Sequence, residues 1–289
     1  MAGGFVCMPG RRLLRLNKTH KPARLTRRQL LLAGALLGFG GLVWETEHLV
    51  VTRHRLEVQG LHAPCRVVQL SDLHRSWCVP ENFIARVVSC TQRLNPDVVL
   101  LSGDFVTSHS SYIASCARQL SRLHPPQGMY AVLGNHDYRC DQWQGAPAVQ
   151  EGLQAVGIQM LTNRSQKLDC GLRLVGLDDC ETGAPDPDAA FGRLTPGEPL
   201  LAFTHNPLLF DVLCGFPCVT LAGHTHGGQI YIPGVTPLFM DERARYLRGW
   251  FQKPQWPGRM YVSCGLGTIA IPARFNAPAE IALFELVPA

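Results

Sequence analysis

The chain has 289 residues, of which 46% are hydrophobic and 17% are charged, so it can bury a large core and is not a disordered chain. The formal net charge is +5, but eight of the 27 Lys and Arg residues lie in the first 28 positions. From Glu45 onward, 19 basic residues stand against 22 acidic ones, a net charge of −3, so we expect no nucleic-acid partner.

The chain opens with a basic stretch, residues 11–28, followed by an uncharged apolar run from Leu30 to Trp44. This pattern is typical of a targeting segment. As a helix, the 15 apolar residues would reach about 22 Å, less than the ~30 Å of a bilayer's hydrocarbon core. Residues 26–31, which include the pair Arg27 and Arg28, resemble a bacterial twin-arginine export signal.

No small-residue cleavage site follows the apolar run, so we expect residues 1–44 to be an uncleaved signal or anchor. The alternative is an amphipathic or poorly ordered tail. We expect residues 45–289 to form one large domain associated with the bacterial inner membrane. The basic residues before the run favour an exported domain if the run spans the membrane, but the side of the membrane stays open.

Short apolar runs that end at turn residues predict eight buried strands, at 66–70, 97–101, 129–133, 173–177, 200–203, 219–222, 260–263 and 281–287. Apolar residues spaced four apart predict three helices between the earlier strands, at 81–94, 111–123 and 146–156. This alternation predicts an α/β layered fold, with a second, more antiparallel sheet in the later part. The count of 11 cysteines is odd and includes no C-x-x-C pair, so we expect most to be reduced, among them Cys65, Cys90, Cys116 and Cys264.

Five of the predicted strands are followed directly by residues suited to metal binding or acid–base chemistry. They are Asp72 and His74, Gly103-Asp104, Gly134-Asn135-His136-Asp137, Thr204-His205-Asn206, and Gly223-His224-Thr225-His226. Open α/β sheets bind ligands at the carboxyl ends of their strands. Imidazoles, carboxylates and an amide oxygen can together hold two divalent metals, with one carboxylate bridging ions ~3.5–4 Å apart. Asp104 is the natural bridge.

This ordered series of motifs resembles the calcineurin-like metallophosphoesterase superfamily over about residues 65–287. The resemblance implies a four-layer α/β/β/α sandwich with mixed sheets and a dinuclear metal site at the strand carboxyl ends. For the first metal it implies the ligands Asp72, His74, Asp104 and His226. For the second metal it implies Asp104, Asn135, His205 and His224. It also implies that His136 assists the leaving group or the charge of the transition state, with Asp137 holding His136 in orientation.

Departures from the family pattern narrow the subgroup. Phe105 follows Gly103-Asp104, where protein Ser/Thr phosphatases of the superfamily have an Asp-Arg-Gly run, and this disfavours a protein phosphatase. Thr107 stands where purple acid phosphatases have the tyrosine that favours iron(III). We therefore expect two divalent ions, Mn²⁺ first, with Zn²⁺ and Fe²⁺ as alternatives. The segments 227–229, 265–267 and 274–281 are similar to those of membrane-associated bacterial phosphodiesterases, although Ala279 replaces a usual proline.

The resemblance implies a metal-dependent enzyme that hydrolyses a phosphodiester or pyrophosphate bond, on a lipid-linked or nucleotide substrate. The narrowest candidate is a UDP-2,3-diacylglucosamine pyrophosphatase of lipid A synthesis, which requires a cytoplasm-facing domain. There are two alternatives, a catalytically inactive metal-binding scaffold and a protein that only binds membranes. Every predicted ligand position carries a residue type that can bind a metal, and this argues against both. The aromatic stretches 231–239 and 250–256 suit either packing in the core and turns or the lining of a groove for acyl chains. The sequence leaves the oligomeric state open.

Overall fold

Two six-stranded mixed sheets face each other in a computed structural model that describes residues 48–192, 195, 197–239 and 245–289. The strands, in chain order, are β1 (Leu49–Val58), β2 (Cys65–Leu70), β3 (Val98–Ser102), β4 (Met129–Val132), β5 (Gln159–Met160), β6 (Arg164–Lys167), β7 (Arg173–Gly176), β8 (Leu200–Phe203), β9 (Val219–Ala222), β10 (Gly249–Gln252), β11 (Arg259–Val262) and β12 (Ala279–Pro288). The predicted signal or anchor, residues 1–44, lies outside the described residues.

The first sheet has the order β1-β12-β2-β3-β4-β5, and all its neighbouring strands are parallel except β12 and β2. The second sheet has the order β10-β11-β9-β8-β7-β6. Its four central strands are parallel, and its two edge strands are antiparallel to their neighbours. The predicted second sheet is therefore confirmed, with its antiparallel pairs at the edges only.

The helices are α1 (Glu81–Arg93), α2 (Ile113–Leu120), α3 (Asn135–Trp143), α4 (Ala146–Gln154), α5 (Pro187–Phe191) and α6 (Phe210–Leu213). Helices α1, α2 and α4 cover the outer face of the first sheet, where Phe83 and Leu120 belong to the same buried cluster as Val68 of β2. Helices α5 and α6 cover the second sheet, where Phe191 and Phe210 belong to the same buried cluster as β-strand residues. The result is a four-layer α/β/β/α sandwich, as the resemblance implied.

The central strands are apolar on both faces because each face is covered. Successive strand residues point to opposite sides, so Val67 faces the second sheet while Val68 faces the helices, and both are fully buried. Between the sheets, Phe284 of β12 belongs to the same cluster as Phe203 of β8. Such burial on two sides explains why these strands read as continuous apolar runs in the sequence.

All eight predicted strands and all three predicted helices are present; the strands at 200–203 and 219–222 have the predicted bounds, and the other elements have shifted ends. The helix predicted at 111–123 begins as a 3₁₀ turn, Ser110–Tyr112, and its α-helical part ends at Leu120. The strands β1, β5, β6 and β10 and the helices α3, α5 and α6 were not predicted. The ten cysteines among the described residues are free, which agrees with the predicted reduced state. Within that same part of the chain, none of the helices is long and apolar enough to cross a membrane.

Candidate metal centre

The seven predicted ligand residues meet at the edge where the carboxyl ends of five parallel strands converge. Asp72 and His74 follow β2, Asp104 follows β3, Asn135 begins α3 just after β4, His205 follows β8, and His224 and His226 follow β9. All except His224 are at least 97% buried. The position of the strands therefore brings together groups that are more than 100 residues apart in the chain.

The backbone at this edge adopts the left-handed conformation at five of the seven residues, namely Asp72, His74, Asp104, His224 and His226. Such a conformation costs a non-glycine residue about 1–3 kcal/mol and persists where surrounding contacts impose it. Here the contacts are hydrogen bonds between loops. The backbone N–H of Asp72 donates to Gly103 O at 3.0 Å, and that of His74 donates to Asp104 O at 2.9 Å.

One group of side chains comprises Asp72, His74 and His226. The Nε2 atoms of His74 and His226 are 3.1 Å apart, and Asp72 Oδ1 lies 3.5 Å from His226 Nε2. Both carboxylate oxygens of Asp72 also accept the backbone N–H of His224, at 3.0 and 3.1 Å. Asp72 is therefore held by the loop that supplies the histidines of β9.

A second group comprises Asp104, His205 and His224, and Asn135 lies within it. Asn135 Oδ1 is 3.1 Å from His205 Nε2 and 2.9 Å from His224 Nδ1. The two histidine nitrogens are themselves 3.1 Å apart. Glycine is required beside this group, because a Cβ at Gly134 would meet the Asp104 carboxylate and His205 Nδ1.

Asp104 lies between the two groups. Its Oδ1 accepts the backbone N–H of His136 at 2.8 Å, which fixes the orientation of the carboxylate. Its Oδ2 lies 3.3 Å from His74 Nε2 in the first group and 3.2 Å from His205 Nε2 in the second. A single oxygen therefore faces one histidine of each group.

The donor set suits cations. His205 Nδ1 lies 2.9 Å from Ser102 O, which can only accept, so Nδ1 carries the proton and Nε2 of the neutral ring presents a lone pair. That lone pair faces Asn135 Oδ1 and Asp104 Oδ2, which are acceptors as well. Acceptors converge in this way around a positive charge, and the Nδ1–H bond to a carbonyl is the usual support of a metal-binding histidine.

The electrostatics of the centre also favour positive charge. Burial disfavours the ionised form of Asp104, but the adjacent His205 and His74 outweigh it and hold the pKa of this carboxyl well below its usual range. Burial likewise disfavours the charged form of His205, yet Asp104 raises the pKa of this ring well above its ordinary value, so Nε2 takes up a proton where no cation is bound and presents its lone pair only to a cation that displaces that proton. By contrast, burial and the charge of His205 lower the pKa of His224 to about 4. Such strongly shifted values concentrate at functional sites.

His136 lies beside the first group without belonging to it. Its ring is half-buried, stands edge-on to the His74 ring at a centroid distance of 4.9 Å, and is held by a contact of 3.0 Å from Nδ1 to Thr107 O. Burial lowers the pKa of this imidazole. Thr107 also reaches His74, with Oγ1 at 3.2 Å from its Nδ1.

The expectation that Asp137 orients His136 is wrong. The Asp137 carboxylate is fully buried and accepts backbone N–H groups from Asp104, Phe105, Val106 and Gly134, at 2.8 to 3.2 Å. It thus holds the turn after β3 against the start of α3, while Thr107 O fixes the His136 ring.

Sequence reasoning missed the guanidinium of Arg274, which is fully buried behind the first group. It donates to the carbonyl oxygens of Gly267, Cys264 and Ala277, and one of its nitrogens lies 3.4 Å from His226 Nδ1. Burial lowers the pKa of Arg274 to about 10. The sequence offers two signals, because Arg274 begins the segment 274–281 that resembles bacterial phosphodiesterases and is the single charged residue between 264 and 279, but neither assigns it a place behind the first group.

The family model of the calcineurin-like phosphoesterases matches residues 65–228, which is more than half of the chain and includes every candidate ligand. The chain belongs to this family. It is therefore a hydrolase of phosphoester bonds, and its buried His and Asp groups are candidate ligands of divalent metals.

Relatives within the family cover most of the chain. The phosphodiesterase YaeI of Escherichia coli is 31% identical over 91% of this chain and all of its own length. The UDP-2,3-diacylglucosamine pyrophosphatase LpxG of Chlamydia trachomatis is 29% identical, over 76% of this chain and 83% of its own. An uncharacterized metallophosphoesterase of Helicobacter pylori is 27% identical, over 92% and 72%.

Proposed function

We propose that the chain holds two divalent ions and hydrolyses a phosphodiester or pyrophosphate bond at this centre. In the proposal, one ion has the ligands Asp72, His74, Asp104 and His226, and the other has Asp104, Asn135, His205 and His224. The observation that carries it is the position of Asp104 Oδ2, within 3.3 Å of a histidine nitrogen in each group. That is the position of a carboxylate that bridges two ions.

The two ions, when bound, provide a nucleophile from water near neutral pH and a positive clamp for the phosphoryl oxygens. The negative charge of Asp104 offsets the repulsion between the two dications. His136 serves as a proton donor to the leaving oxygen. Because its Nδ1–H is held by Thr107 O, the protonated ring carries its transferable proton at Nε2.

The donor set is built from imidazole nitrogens and oxygens, and the two candidate groups include no thiolate. Such a set suits Mn²⁺, Zn²⁺ and Fe²⁺, and we propose Mn²⁺ as the first of these. Thr107, whose Oγ1 contacts His74, offers no phenolate for iron(III).

We further propose a lipid-linked or nucleotide phosphoester as the substrate. The likeness to a phosphodiesterase and to a UDP-2,3-diacylglucosamine pyrophosphatase supports this class. Hydrolysis of UDP-2,3-diacylglucosamine itself is the second candidate, supported by the LpxG likeness over 76% of this chain. The basic stretch and apolar run within residues 1–44 support attachment to the inner membrane through this segment. The domain that follows is then either exported or faces the cytoplasm.

The proposal is tested with the full chain, stripped of metal and reloaded with Mn²⁺, Zn²⁺ or Fe²⁺. The substrates are bis-p-nitrophenyl phosphate, p-nitrophenyl phosphate and UDP-2,3-diacylglucosamine. We expect hydrolysis of the first and weak hydrolysis of the monoester, both dependent on added metal. Asp188→Asn, at an exposed position on α5, is the matched control and keeps full activity. Metal-independent turnover, or none on any substrate, would refute the proposed chemistry.

A further inference from the structure

Six large apolar side chains are exposed to solvent near the candidate metal centre. They are Trp77, Ile232, Val235, Leu238, Ile271 and Phe275, and each is between 44% and 78% exposed. They lie on three loops, residues 76–80, 229–239 and 266–276, which we call the apolar rim. Exposed apolar side chains gathered in this way mark an interaction surface.

The three loops of the apolar rim contact one another. The backbone N–H of Tyr231 donates to Phe275 O at 2.8 Å, and that of Phe275 donates to Gln229 O at 2.9 Å. These bonds join the second loop to the third. Val79 of the first loop and Pro272 of the third line the same hollow. The apolar rim is therefore one continuous surface.

The apolar rim carries almost no charge. Its 27 residues include no Asp, Glu or Lys, and the single Arg274 is fully buried. One charge from outside the three loops borders this surface, because the Arg248 guanidinium stacks on the Tyr231 ring at 4.1 Å and donates to Asn276 O. Trp77, at 78% exposure, is of the residue type that is enriched where proteins enter the interface of a bilayer.

All three loops of the apolar rim adjoin the first group of the candidate metal centre, Asp72, His74 and His226. Its first loop follows His74, its second follows His226, and in its third the backbone N–H of Gly267 donates to Asp72 O at 2.6 Å. A partner bound at the rim would therefore lie beside the first group of candidate ligands.

The chain also enters the described domain at this edge. Strand β12 runs antiparallel to β2, and β1 runs parallel to β12 with Leu49 beside Ala279, so His48 lies at the same edge of the first sheet as the carboxyl end of β2, which Asp72 and His74 follow. His48 follows Trp44, the last residue of the apolar run, by four positions, and four residues span at most about 14 Å.

We propose that the apolar rim docks on a lipid bilayer, so that the metal centre opens onto the membrane surface. The observation that selects a bilayer rather than a protein is the apolar run that ends four residues before this same edge. The inference rests on the proposed function, because the substrate would be a phosphoester in a lipid headgroup that reaches the metal centre from the membrane surface.

The test uses the full chain reconstituted in vesicles of phosphatidylcholine and phosphatidylglycerol, with and without brominated acyl chains, which quench tryptophan fluorescence on contact. Trp77→Phe is compared with Trp256→Phe. Trp256 is 49% exposed and precedes β11, at the opposite edge of the sheets, so it serves as the matched control. We expect the quenched part of the emission to fall in Trp77→Phe and to stay unchanged in Trp256→Phe.

Equal quenching in the wild type and in Trp77→Phe would overturn the proposal. So would a dimer in solution that Leu238→Glu dissociates, with Trp77 unquenched, because the rim would then bind a second copy of the chain. The fluorescence experiment needs neither metal nor substrate. An inactive enzyme with quenched Trp77 would therefore refute the proposed function and leave bilayer docking intact.

Discussion

Asp137 Oδ2 accepts the backbone N–H of Asp104 at 2.8 Å, so one buried carboxylate fixes the backbone that carries the other. The same side chain also accepts from Phe105, Val106 and Gly134. It thereby holds the turn after β3 in the left-handed conformation found at Asp104. The geometry of the proposed bridging ligand thus depends on a residue that offers nothing to the metals.

Asp137→Ala is expected to destabilise the protein and to lower its metal content. The change leaves four buried N–H groups without their acceptor, and each such group costs about 1–3 kcal/mol. Urea denaturation of the metal-free protein measures the loss of stability, and elemental analysis measures the metal. Asp188→Ala, at an exposed position, is the control and changes neither. Unchanged stability of Asp137→Ala would contradict the role in holding the turn.

Asp104→Asn is expected to abolish hydrolysis and to lower the metal content. The amide keeps the size of the side chain, but it lacks the charge that offsets two adjacent dications. Elemental analysis and kinetics on the same preparation provide the measurement. Two tightly held ions together with near-normal turnover would rule out Asp104 as the bridge.

His136→Ala is expected to keep its fold and its metals while the rate falls by roughly 10²- to 10⁴-fold, the usual effect of removing a positioned acid. The backbone N–H of His136 donates to Asp104 Oδ1, a hydrogen bond that the substitution retains, while the ring that is removed meets, among the candidate ligands, only the His74 ring, edge-on at a centroid distance of 4.9 Å. The rate should fall less for a substrate with a good leaving group, such as p-nitrophenolate, than for one with an alkoxide leaving group. Loss of metal in parallel with activity would instead assign His136 to the ligands.

The sequence predicts the layers and the position of the site, because both depend on local patterns. Val67 and Val68 are apolar neighbours in a short run, and this pattern predicts a strand covered on both faces. In β1, Arg53 and Arg55 alternate with less exposed residues on an edge strand, so no apolar run marks it.

Other features depend on contacts that no local pattern contains. The role of Asp137 arises from N–H groups more than 30 residues earlier in the chain. The place of Arg274 behind His226 likewise follows from the packing of one loop on another. The helix α3 shows no repeating pattern of apolar residues at helical spacing, and its last three residues, 141–143, have a left-handed backbone conformation. Only the folded chain reveals these relationships.

His54 is expected to make stability depend on pH. Its ring packs among Trp250, Tyr261 and Phe284, and burial lowers its pKa from 6.5, although the Glu280 carboxylate opposes the shift. The unfolded chain therefore binds the proton more readily than the folded one. The contribution is fully present above pH 6.5 and is lost as pH falls from 6.5 through the folded-state pKa.

The measurement compares the wild type with His54→Phe, which keeps an aromatic ring without a titrating group. The free energy of unfolding of the wild type should fall relative to the variant as pH decreases below 6.5. Taking the difference cancels the histidines that both proteins share. A constant difference across this range would show that His54 titrates alike in the folded and unfolded states.

The apolar run that ends at Trp44 is expected to hold the protein at the membrane without being removed, because no credible cleavage site follows it. Mass spectrometry of the membrane-derived protein should find the basic residues of 11–28 still attached.

The double substitution Arg27→Lys and Arg28→Lys keeps the charge and tests the export route. A twin-arginine substrate would then stay in the cytoplasm, whereas a simple anchor would be indifferent. Because 15 apolar residues are short for a span, partial release by alkaline carbonate is compatible with this anchor. A mature terminus near residue 45, or a full-length protein found only in the soluble fraction, is not.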